Sequence, residues 1–169
     1  MEKETQKWQK WLNSQKGRLW LGTKKGRAWL RSTDGQEWLG TADGRAWLNT
    51  VSGQAWLETR ACWKWLGTAD GRAWLNTDAG WKWLGTDAGR EWLGTTADSG
   101  AWLGTAAGWK WLGIDAGQEW LDTVSGGAWL GTDAGRAWLD TVSGQKWLDT
   151  IAGWKWLGTT DAGRAWLGT

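Results

Sequence analysis

Residues 68–76 read Thr68-Ala69-Asp70-Gly71-Arg72-Ala73-Trp74-Leu75-Asn76, and residues 77–85 repeat the frame as Thr77-Asp78-Ala79-Gly80-Trp81-Lys82-Trp83-Leu84-Gly85. With Trp74 or Trp83 as position 0, Ser/Thr falls at −6, Gly at −3, Leu at +1, and Gly, Asn or Asp at +2. Ser and Thr are preferred N-caps because the side-chain oxygen accepts from a backbone N–H two or three residues on. Gly and Asn suit the position just past a helix, where many chains turn left-handed. Asp at −5 favours the positive end of the helix dipole, and Ala, Arg, Glu, Lys and Gln at −2 and −1 are good helix formers. The nonad therefore predicts a two-turn helix followed by a tight corner.

The same frame runs outward in both directions. Core tryptophans recur every nine residues from Trp11 to Trp92, from Trp102 to Trp156, and again at Trp166, each followed by Leu. Position −6 is Ser or Thr in 17 of 18 copies, broken only by Ile114, and +2 is Gly, Asn or Asp in 16, the exceptions being Arg31 and Glu58. Self-similarity at a fixed period marks a stacked array, so the expectation is an all-α solenoid of about 18 nine-residue repeats. Its handedness is not readable from sequence. The rival architecture is a β-solenoid with Thr on flat faces, which would also suit an ice-binding surface. Adjacent Trp-Leu breaks period-two alternation, and Ala, Glu or Lys before Trp is poor strand composition.

Residues 1–169 are expected to form one array, with 1–13 an atypical capping repeat and 14–169 regular nonads. In the first repeat Trp8 stands in the Gly column, filling a hollow with no earlier neighbour. One-residue insertions fall near 95–96 and 159–160, between a helix stop and the next cap, as expected of a loop corner. The last repeat is a standard unit, implying that the array continues in a longer parent or is covered by another chain. A glycine inside each helix costs roughly 1 kcal/mol relative to Ala. Its recurrence implies close approach of a neighbour, most simply an indole. Cys62 replaces Gly in one repeat and is expected to be a packing residue.

Composition removes several function classes. There is no His, Pro, Phe or Tyr, and 23 residues are Trp, an alphabet that fits recent duplication or consensus design. Catalysis needs a one-off constellation of nucleophile, base and orienter, whereas each Asp here has an equivalent one or two repeats away. One Cys and no His leave no metal-ligand set, and no cofactor motif is present. The expectation is not an enzyme. Residues 1–31 hold nine Lys/Arg against two Asp/Glu, and the remainder eleven against sixteen, so nucleic-acid binding is disfavoured along the body. With no bilayer-length apolar run and no leader-like start, a cytoplasmic chain without membrane contact is expected.

The departures from consensus supply the candidate site. Trp63, Trp81, Trp109 and Trp154 occupy −2, where Arg or Gln is usual, each followed by a lysine (Lys64, Lys82, Lys110, Lys155). Position −2 lies across the helix from the core Trp. These eight residues form a candidate interaction surface for a protein partner, or for stacking on sugars or other small ligands. The competing role is a second packing layer between coils.

The runs Thr68–Thr77 and Thr86-Asp87-Ala88-Gly89-Arg90-Glu91-Trp92-Leu93-Gly94-Thr95 resemble short Trp-rich repeats in large fungal proteins of the NOD-like receptor (NACHT) type. The resemblance implies a partner-sensing or scaffolding array whose surface residues change quickly. No Gly-x-x-x-x-Gly-Lys-Ser/Thr loop is present, so any NTPase would lie outside this chain. A non-enzymatic protein-interaction scaffold is the favoured function, with a self-assembling solenoid or filament second.

Overall fold

In the computed structural model, residues 2–168 are described, and among them lie eighteen α-helices, one 3-10 segment and no strand. The chain is an all-α solenoid in which, within each unit, helix after helix packs on its neighbour in a repeated arrangement. Helices such as Lys24–Leu30, Ala42–Leu48 and Asp133–Leu139 occupy the seven residues from −5 to +1. Two compact units emerge, residues 1–79 and 80–169, with the division falling inside the helix Asp78–Leu84.

The hydroxyl at −6 links consecutive helices. Thr23 Oγ1 accepts from Gly26 N at 3.2 Å and donates to Trp20 O, in the preceding helix, at 2.6 Å. The same pair of bonds recurs at Thr41, Thr105, Thr132 and Thr150. A carboxylate can accept but not donate, so Asp, an equally good cap, could make only half of this link. Ile114 makes neither bond.

The corner differs from the left-handed stop expected at +2. No described residue has a positive φ; Gly22 is at φ −77, ψ −10, and Asn49 at −85, −4. The helix instead tightens, with Gly22 N donating to Leu19 O and Thr23 N to Trp20 O, and the −6 residue alone is extended at φ −82, ψ 165. An αR corner accepts any side chain, which explains Arg31 and Glu58 at that position.

The glycine column also faces something other than an indole. A Cβ on Gly26 would collide with Trp20 O and lie 2.6 Å from Leu21 Cα, and the same backbone meets Gly44, Gly89 and Gly135 in their repeats. The close approach is helix against preceding helix end. Cys62 shows the consequence. Its repeat opens with a 3-10 turn, Arg60–Cys62, ahead of the short helix Trp63–Leu66, and Thr59 makes no side-chain cap bond. The larger residue pushes the helix start away and costs it the cap.

The insertions do not loosen the corner as expected. They lengthen the preceding helices, Asp87–Thr95 and Ile151–Thr159, by two residues each, and Thr96 and Thr160 cap the next helices at φ −115 and −111. The extra residue continues a helix that had no fixed stop signal.

Leu at +1 is buried in nearly every repeat, and core indoles follow one another at 6.2–6.4 Å between centroids, tilted by 54–57°, from Trp111 to Trp147. At the start, Trp8, 41% exposed, stacks on Trp11 at 4.9 Å and meets Trp20 and Trp29 edge-on. A lone nonad has too little apolar area to offset its ordering entropy; burial on both sides supplies it.

Candidate interaction surface

Within each unit a second register lies about thirty residues along the chain. In the first, Asn13 Nδ2 donates to Asp43 Oδ2 at 2.7 Å, and Gly22 faces Ser52. In the second, Arg90 pairs with Glu119 at 2.9 Å, Gly113 faces Ser143, and Gly131 faces Ala162. Thirty residues at nine per repeat correspond to about 3.3 repeats per turn of the coil.

This register decides what position −2 does. Arg90 reaches the repeat three further on, and Gly127, also at −2, lies against the Trp156 indole. At Gly127 the −2 position is therefore set over a core Trp one turn later, where a side chain would act as a lid. Trp63, Trp81 and Trp109 are half-buried, and Trp63 carries the Arg60 guanidinium over its ring at 5.0 Å. Trp154 is 67% exposed. Lys64, Lys82, Lys110 and Lys155 all point to solvent.

The six of these residues that lie in the second unit do not gather into one patch. Trp81 and Trp109 are 28 residues apart, close to a full turn, and share a side; Trp154 lies 45 residues beyond Trp109, a turn and a half, on the other.

A different column is fully open. Val51, Val124, Val142 and Ile151 occupy −5, the first helical residue, with 74–93% of their surface exposed. Asp or Ala is usual there, and Asp suits the dipole better. These aliphatic side chains are not needed for the fold. Sequence alone does not single them out, because Val recurs at −5 alongside Asp and Ala as one of that column's ordinary residues.

Among the described residues no three His, Cys, Asp or Glu converge to hold a metal ion, and no helix is long and apolar enough to cross a membrane. Cys62 is fully buried, its Sγ donating to Thr59 O at 3.2 Å, and burial pushes its pKa from 9.0 up to about 12. Such a thiol is a packing residue. The chain matches no family model, no curated protein and no solved structure.

Proposed function

We propose that the chain is a non-enzymatic scaffold that binds a protein partner through its outward −5 column. The observation that carries this reading is the exposure of Val142 and Ile151 in consecutive repeats, with Val124 two repeats earlier and Trp154 beside them in sequence. Val124 and Ile151, 27 residues apart and so close to one turn of the coil, set apolar side chains on one side of an otherwise polar column, with Val142 a third of a turn away, as contacts that partner binding would desolvate. The likeness of the motif to fungal receptor repeats points the same way. Half-burial of Trp63, Trp81 and Trp109 weighs against sugar stacking, which needs free ring faces.

The test replaces Val142 and Ile151 with Asp, the residue other repeats carry, and compares immobilised parent and variant against cell extract by quantitative mass spectrometry. A protein enriched on the parent and lost on the variant, with thermal midpoints unchanged, supports the scaffold. Equal recovery overturns it. Self-association is the second reading, favoured by exposure of Trp154 and Leu167 in the last two repeats. Light scattering over a concentration series separates it: growth to large species favours assembly, constant monomer mass the scaffold.

A further inference from the structure

Gly127 stands at −2 without a side chain, and the tryptophan it lies against, Trp156, retains 5% exposure where Trp111 and Trp138 have none. Beside Gly127 lies a cavity of about 370 Å³. Its floor is the edge of the Trp156 indole, with Cδ1 3.4 Å from where a Gly127 Cβ would stand, and its walls are Val124, Ala128, Ala152 and Ala162. The absent lid also lets Trp156 Nε1 donate to Gly127 O at 3.0 Å, whereas Nε1 of Trp111, Trp120, Trp138 and Trp147 is buried without a partner.

We infer that this notch binds a small neutral aromatic molecule of one or two fused rings. The volume lies at the lower end of small-ligand sites, which are concave and mostly apolar. Asp122 and Lys155 both border it, so neither sign of charge is favoured in the occupant. The protons at the rim are already committed: Thr123 Oγ1 donates to Trp120 O, Thr159 Oγ1 to Lys155 O, and Thr160 Oγ1 to Trp156 O. Shape and ring contact, rather than donated hydrogen bonds, select the ligand. An indole edge is the positive rim of a quadrupole, and it prefers the π face of a second ring to an aliphatic surface.

The probe is 6-fluoroindole, followed by ¹⁹F line broadening against the full chain, with cyclohexylmethanol as aliphatic competitor. One site is expected, with a dissociation constant between about 10 µM and 1 mM for a ligand of about ten heavy atoms. Gly127→Arg restores the usual lid and should weaken binding at least tenfold, while Gly100→Arg should leave it unchanged. Val124→Asp places a consensus charge at the mouth and should weaken binding several-fold, giving a second variant if Gly127→Arg folds poorly. Absence of broadening up to 1 mM probe, binding by Gly127→Arg within twofold of the parent, or equal displacement by the aliphatic alcohol would each overturn the assignment.

Discussion

Thr86 Oγ1 accepts from Gly89 N at 3.2 Å and gives its proton to Trp83 O at 2.6 Å, so one atom closes the start of a helix and the end of its predecessor. Ile114 has no such atom, and Ile114→Thr should raise stability by about 1 kcal/mol, the usual worth of an N-cap, read from urea midpoints. The glycine column makes a sharper contrast. Gly89→Ala drives a Cβ into Trp83 O and to 2.6 Å from Leu84 Cα, whereas Gly104→Ala meets nothing nearer than 3.6 Å. The first should cost several kcal/mol and the second less than about 1, and similar thermal midpoints would refute the backbone approach. Sequence made the cap and the need for a small residue legible. It did not show that a carbonyl, rather than an indole, enforces that need, because the partner belongs to the previous repeat's backbone and leaves no side-chain signature.

At the scale of the helix, the seven-residue span could be read from its two brackets, but the form of the corner could not. Gly at +2 suggested a left-handed stop, yet Arg31 and Glu58 already stood where only an αR corner tolerates them. The helix disturbed by Cys62 gives a pH prediction. Its thiol has a folded pKa of about 12 against an ordinary 9.0, so the folded state holds its proton to higher pH than the unfolded chain. That contribution to stability is constant below pH 9 and is lost as pH rises from 9 towards 12. At pH 8 the native thiol should resist a disulfide reagent and react at once in denaturant; rapid native labelling would contradict its burial. The lid column yields a further comparison. Trp81→Arg removes a half-buried ring and should cost about 1–2 kcal/mol, while Trp154→Arg should fall within about 0.5 kcal/mol of the parent by urea unfolding.

Over the whole chain, the nine-residue beat gave the all-α solenoid, but the thirty-residue register was hidden. Nothing in one nonad states how many make a turn; that emerges from the angle between successive helices, set where each glycine meets the preceding helix end. Without the register, Trp63, Trp81, Trp109 and Trp154 read as four equivalent sites, whereas the coil half-buries three of them and leaves Trp154 open. The notch at Gly127 was missed for the same reason, since a missing lid matters only to the indole 29 residues later.

That register has a genetic consequence. Unequal recombination between near-identical nonads adds or removes one repeat without disturbing any cap, because each hydroxyl bonds only to the adjoining helix. It does change which lid is dealt to which tryptophan. A duplication placed between Gly127 and Trp156 would slide the glycine over the core of a different repeat, moving the notch beside new neighbours without a single point mutation. In such a chain the inherited variable is the order of the repeats, and surface recesses can be opened, closed or relocated by copying alone.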